Sequence, residues 1–131
     1  MAIALVQHAV VISWAGTYSF TSPTTPGNLV TATVLWTDNT QTITSVLDPH
    51  GDAMIARGKV NLTSMSGWAK QRFWLPNVSA GSAAFTVTLS GSGASVIIFL
   101  TERSGCQTSS TPDSGNTTGD AWATGTGTSP L

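Results

Sequence analysis

Hydrophobic and polar residues alternate with a period of two along most of the first hundred positions. The longest run covers residues 28–36, reading Leu29-Val-Thr-Ala-Thr-Val-Leu-Trp36 after Asn28. Val30, Ala32, Val34 and Trp36 share one face, and Leu29, Thr31, Thr33 and Leu35 the other, as an extended strand requires. Residues 84–90 alternate most sharply, with Phe85, Val87 and Leu89 inward and Thr86 and Thr88 outward. Residues 94–102 are apolar on both faces, the pattern of a central strand. Residues 68–75 place Lys70, Arg72 and Trp74 on one side and Ala69, Gln71, Phe73 and Leu75 on the other. Residues 41–47 predict a strand with Ile43 and Leu47 facing in, and residues 53–62 predict one more. Near the N-terminus, residues 3–7, 10–14 and 17–20 predict three short strands, the last two flanking Gly16.

Turn chemistry separates these runs. Residues 22–27 hold two prolines and a glycine, which forbid regular structure. Residues 37–40 form a turn. Residues 48–52, Asp-Pro-His-Gly-Asp, form a tight one in which Gly51 supplies a positive φ. About eight strands at this spacing, with no 3.6-residue periodicity, predict an all-β fold: an antiparallel β-sandwich, jelly-roll-like. Residues 1–102 are the sandwich domain. Residues 103–131 are a Gly/Ser/Thr-rich C-terminal arm whose composition predicts an extended, flexible segment.

Composition sharpens this picture. Charged residues make up 8% of the 131 positions, against roughly 25% in an average domain. Their place is taken by 21 threonines and 16 serines, which suit strands and turns. The formal net charge of -1 argues against binding duplex nucleic acid, which needs a basic surface to displace counterions. A surface this poor in charge suits an assembled protein better than a free monomer. The N-terminus lacks the basic region and apolar length of a signal peptide, and no stretch has the roughly 18 apolar residues of a membrane span. The chain therefore reads as made in the cytoplasm, with no membrane partner. The sequons at Asn61, Asn77 and Asn116 are what chance provides in so Ser/Thr-rich a chain.

Candidate chemistry is sparse. His8 and His50 are the only histidines, Glu102 is the sole glutamate, and all five aspartates fall in turns or the arm. No nucleophile, phosphate-loop or metalloprotease motif occurs, so neither catalysis nor a cofactor is expected. Asp48, His50 and Asp52 have ligand types for a cation, but Asp48 bonding the backbone amides of its own turn is the simpler reading. Asp113, Asn116 and Asp120 in the arm read the same way. The lone Cys106 can form no internal disulfide and is read as free, with an intersubunit bridge as the alternative. Five tryptophans remain: Trp14, Trp36, Trp68, Trp74 and Trp122. Trp36 belongs to the core. Trp74, sharing a face with two cations, is a candidate interface residue. Trp122 and Leu131 are the only large apolar groups of the arm and its candidate anchors.

Several segments carry a resemblance: Ile3-Ala-Leu-Val-Gln7, Gly27-Asn-Leu29 leading to Trp36, Ile43-Thr-Ser-Val46 with Asp48 and Gly51, Phe73-Trp74 with Asn77-Val78, and residues 85–91. Over residues 3–102 the chain resembles a family of short β-sandwich modules found in bacterial surface proteins and tailed-bacteriophage structural proteins. Where that family often has Glu-Tyr-Ser-Gly after the last strand, this chain has Glu102-Arg-Ser-Gly105. Starting at Met1 and bearing a long polar arm, it is most similar to capsid decoration (cement) proteins. That resemblance implies a homotrimer on the outer capsid surface of the virion. Its partner would be the major capsid protein, which an arm reaching to neighbours would help to brace. The alternative is a carbohydrate-binding or adhesin module of a phage tail or bacterial surface, predicting exposed coplanar tryptophans; exposure of Trp68 and Trp74 separates the two.

Overall fold

A computed structural model of the chain describes residues 2–14, 16–81 and 83–106. Among them are nine strands and no helix: β1 (Ala4–Ser13), β2 (Thr17–Ser19), β3 (Leu29–Trp36), β4 (Ile43–Leu47), β5 (Ile55–Ala56), β6 (Val60–Asn61), β7 (Ala69–Leu75), β8 (Ala84–Leu89) and β9 (Val96–Ser104). They form two antiparallel sheets. The larger has the order β1-β9-β3-β7-β5, with β6 also on β7, and the smaller has the order β2-β8-β4. The fold is all-β and sandwich-like, as the alternation predicts.

The core lies between the sheets. β3 contributes Val30, Ala32, Val34 and Trp36, all fully buried, and β9 contributes Val96, Ile98 and Leu100. Tyr18, Val46, Phe85 and Val87 reach them from the smaller sheet. Phe20 and Phe85 meet edge to face at 5.9 Å, a favourable arrangement of ring quadrupoles. β9 sits between β1 and β3, the central place that its two apolar faces require.

Four details differ from the sequence reading. The runs at 3–7 and 10–14 are one ten-residue strand, β1, whose pairing with β9 shifts by one residue between Leu5 and Gln7. That bulge breaks the alternation that would have revealed a continuous strand. In β4 a second shift between Ile43 and Ser45 turns Val46 inward, and Val46, not Leu47, is the buried residue. The expected strand at 53–62 is two short pieces, β5 and β6, both on β7. Between them Arg57 bonds Arg72 through its backbone amide (2.8 Å). Finally, β9 runs on to Ser104, which pairs with Ala4, two residues past the expected end of the sandwich.

Candidate functional site

The carboxylate that stands out is structural. Glu102 is wholly buried on the inner side of β9, opposite Gln7 of β1 and Val30 of β3. Gln7 Nε2 donates to its Oε2 at 2.6 Å. The amide of Thr25 and Asn28 Nδ2 both donate to Oε1 at 2.7 Å. Gln7 Nε2 also donates to the Ser22 carbonyl (3.1 Å). One carboxylate thus ties the edge strand β1 and the Pro-rich loop at 22–27 to the central strand. A buried acceptor surrounded by donors fits structural use. Sequence reasoning saw only a lone glutamate at a strand end; its one clue was a charge in an otherwise apolar, two-faced strand.

The turn at 48–52 forms as expected. Asp48 Oδ1 accepts from the amides of His50 and Asp52, both at 2.9 Å. The Gly51 amide donates to the Asp48 carbonyl at 3.0 Å, with Gly51 at φ +86°. His50 points elsewhere, its Nε2 lying 2.9 Å from the Ala80 carbonyl. Among the described residues no three His, Cys, Asp or Glu side chains converge as a metal-holding group. Asp113, Asn116 and Asp120 lie outside the described residues. Cys106 is free and partly buried.

The turn that closes β3 is a second polar knot. Asp38 accepts from the Thr40 amide and hydroxyl and from Gln41 Nε2. The Thr40 hydroxyl first, and then Gln41, hold its carboxyl below the usual range. Lys59 Nζ donates to the Asn39 and Gln41 carbonyls and lies 5.7 Å from the Trp36 ring centroid, a cation–π distance.

The feature suited to binding is the outer face of the larger sheet. Register stacks three rungs across it. One runs Ile12, Ile97, Leu35, Lys70 and Val60. The next runs Val10, Phe99, Thr33 and Arg72, and the third His8, Thr101, Thr31, Trp74 and Ile55. The β1 and β9 side is apolar and open: Val10 is 57% exposed, Ile12 71%, Phe99 42%, and Trp14, just past β1, 77%. Threonines line the middle of the second and third rungs, where the Thr31 and Thr101 hydroxyls share a hydrogen bond (2.5 Å). The far side is cationic. Lys70 and Arg72 project from β7, and Arg57 stacks its guanidinium 5.4 Å from the centroid of Trp74. Arg103 belongs to the same face of β9. Four of the five Lys and Arg residues of the chain therefore lie on one sheet face, and no described carboxylate lies on its rungs.

Trp36 is in the core as expected. Trp74 sits half-buried under Arg57 on the outer face. Trp68 is also half-buried, and six positions of extended chain, roughly 20 Å, separate it from Trp74. Those two do not form a contiguous platform for a sugar. Trp122 and Leu131, the other candidate interface residues, lie outside the described residues. Sequence reasoning missed the apolar half of this face. The run Val10-Val-Ile12 reads only as part of a short strand, and nothing local tells that one of its faces looks outward.

Comparison with known proteins gives no match: no family model, no curated protein and no solved structure matches the chain.

Proposed function

We propose that this is a non-catalytic virion structural protein that docks on the outside of a phage capsid and stabilises it, a decoration protein. The observation that carries the reading is the outer face of the larger sheet, where exposed Val10, Ile12 and Phe99 share one surface with Arg57, Lys70, Arg72 and Arg103 and no described carboxylate lies on the rungs. Isolated exposed apolar residues are ordinary, but a contiguous patch rimmed by polar groups marks an interaction surface. The segregated positive charge selects a partner surface that is acidic around an apolar centre. A protein that binds the assembled shell and not its free subunits stabilises the shell by mass action, and needs only a rigid body and a docking face.

The resemblance to decoration proteins supplies the choice of a capsid, with the major capsid protein as partner and a homotrimer as the working unit. Two copies meeting through the cationic face would bring like charges together. Trimer contacts on another surface would leave that face for the shell.

The test is co-sedimentation of the protein with heads of the phage that encodes it, stripped of surface proteins. Saturable binding that Ile12→Glu and Phe99→Glu weaken at least tenfold supports the reading. Absence of binding to heads, or binding indifferent to both substitutions, overturns it. Binding to immobilised glycans in place of heads would move the protein to the carbohydrate-binding class, which the wide separation of Trp68 and Trp74 disfavours.

A further inference from the structure

β1 is the edge of the larger sheet, paired only with β9 among the described strands. The ladder itself shows which of its backbone groups point off the sheet. In antiparallel pairs the hydrogen-bonded and non-bonded positions alternate, so each residue turns its N–H and C=O to one neighbour only. The Arg57 amide donates to the Arg72 carbonyl, and the Thr37 amide to that of Ser95. Carried across β7, β3 and β9 by the strand registers, both bonds give the same assignment. Gln7, Ala9 and Val11 bond β9, and the backbone groups of His8, Val10 and Ile12 point away from the sheet. Among the described residues, those three make no backbone bond on that side.

Natural edges are guarded by charge, by proline, by a bulge or by a covering segment. β1 contains no proline and no Asp, Glu, Lys or Arg. Its one bulge, between Leu5 and Gln7, lies near one end. The regular stretch beyond the bulge covers residues 7–13, and Val10 is its midpoint. Val6 at the bulge, Val10 and Ile12 along the strand and Trp14 just past it are all exposed. Exposed apolar side chains and outward backbone groups therefore coincide at Val10 and Ile12.

We infer that β1 pairs antiparallel with β1 of a second copy, about a two-fold axis at Val10. Val10 then faces Val10 of the other copy and His8 faces Ile12, each pair exchanging two hydrogen bonds. The midpoint register matches the regular stretch to itself, and it brings Trp14 of each copy beside the bulge residue Val6 of the other. Charge selects a second copy as the occupant. An edge without charge offers nothing to an acidic partner, and two copies bring no like charges together there. Seven strand spacings, roughly 34 Å, separate the β7 cations of the two copies, and the two Arg103 residues lie roughly 30 Å apart, against a screening length of about 10 Å. The joined sheets merge two Val10–Phe99 patches into one apolar strip with cations on both flanks. The contact is isologous, so it doubles whatever unit the other surfaces build: a monomer becomes a dimer and a trimer a hexamer. It uses the edge of the sheet and does not rest on capsid docking.

The experiment combines light scattering with register-specific cross-linking on the full-length chain. The mass of the unaltered protein should double as concentration rises. Val10→Pro removes an amide that β9 does not use, a position where an edge strand accepts proline. It should hold the mass at the undoubled value while circular dichroism shows the sheets intact. In a Cys106→Ser background, Val10→Cys should oxidise to a linked pair, because facing Cα atoms about 5.5 Å apart are within disulfide reach. Ile12→Cys should link at least about tenfold more slowly, since its two copies stand roughly 13 Å apart along the strands. A mixture of Ile12→Cys and His8→Cys should link one to the other. Undoubled mass at every concentration overturns the inference, as does doubling that survives Val10→Pro. Ile12→Cys linking as fast as Val10→Cys also overturns it, by placing the copies in another register. None of these outcomes touches the co-sedimentation result, so the two proposals fail separately.

Discussion

Gln7 and Glu102 face each other across the β1–β9 ladder, and the Gln7 amide donates to the buried Glu102 carboxylate at 2.6 Å. The pair explains how an edge strand with a bulge keeps its register: the bulge between Leu5 and Gln7 places Gln7 opposite Glu102. Removing the carboxylate leaves three donors, from Gln7, Thr25 and Asn28, without their acceptor. Glu102→Ala should therefore cost about 3–5 kcal/mol, read by denaturant unfolding. Gln7→Ala should cost about 1–2 kcal/mol. The double variant should show a coupling of at least about 1 kcal/mol. Strict additivity would mean that the two side chains stabilise the fold independently.

Tyr18 gives the fold an alkaline limit. It is the single tyrosine of the chain, it is fully buried, and its hydroxyl makes no hydrogen bond among the described residues. Burial raises its pKa above the ordinary value, because the phenolate loses more hydration than the phenol. The unfolded chain thus releases this proton more readily than the folded one. The associated stability is present below about pH 10 and is lost as pH rises through the folded value. Tyrosinate absorbance should appear only as the protein unfolds, since no second tyrosine contributes. Tyr18→Phe should remove this alkaline loss. At neutral pH it should cost less than about 1 kcal/mol or stabilise the fold, because it deletes an unpaired buried hydroxyl. A tyrosinate signal at ordinary pH in still-folded protein would show that the ring is not held as described.

The outer face predicts a salt signature. With Arg57, Lys70, Arg72 and Arg103 on one side of the sheet, docking should weaken as salt rises from about 50 to 500 mM, where the screening length falls severalfold. Arg103→Glu should lower the association rate by roughly tenfold without shifting the melting temperature, since Arg103 is exposed. Ile12→Glu should instead raise the dissociation rate. Salt-independent binding would confine the contact to the apolar half.

How far the sequence reached follows from what sets each feature. The inward faces of β3 and β8 were legible because burial on one side imprints a period-two pattern, and Val30, Ala32, Val34, Trp36 and Phe85 are buried as read. The central place of β9 was legible for a different reason, the apolar residues on both of its faces. The continuity of β1 and the inward turn of Val46 were not, because a bulge shifts alternation by one residue and local pattern cannot locate it. The Glu102 network joins residues 7, 25, 28 and 102, which only the sheet order brings together. The outer face of the larger sheet was half legible: Trp74, Lys70 and Arg72 share a side in the sequence, but their place on one surface with Val10 and Phe99 depends on β9 and β3 lying between β1 and β7.

Two glycines share a left-handed backbone and differ in their surroundings, which makes them a matched test of steric crowding. Gly51 has φ +86° and open space where a Cβ would stand; Gly105 has φ +73° and the Ala2 carbonyl oxygen 2.4 Å from that position. Gly51→Ala should cost about 1 kcal/mol, the conformational penalty alone. Gly105→Ala carries the same penalty plus a backbone clash that the start of β1 must relieve by moving away from the end of β9. The pairing of Ala4 with Ser104 and of Leu5 with Arg103 should loosen first. Amide exchange should rise at Leu5 and Ser104 while Ile12 and Ile97, at the other end of the same ladder, stay protected. Equal and purely local costs at both glycines would show that the chain beyond Ser104 is not anchored against Ala2.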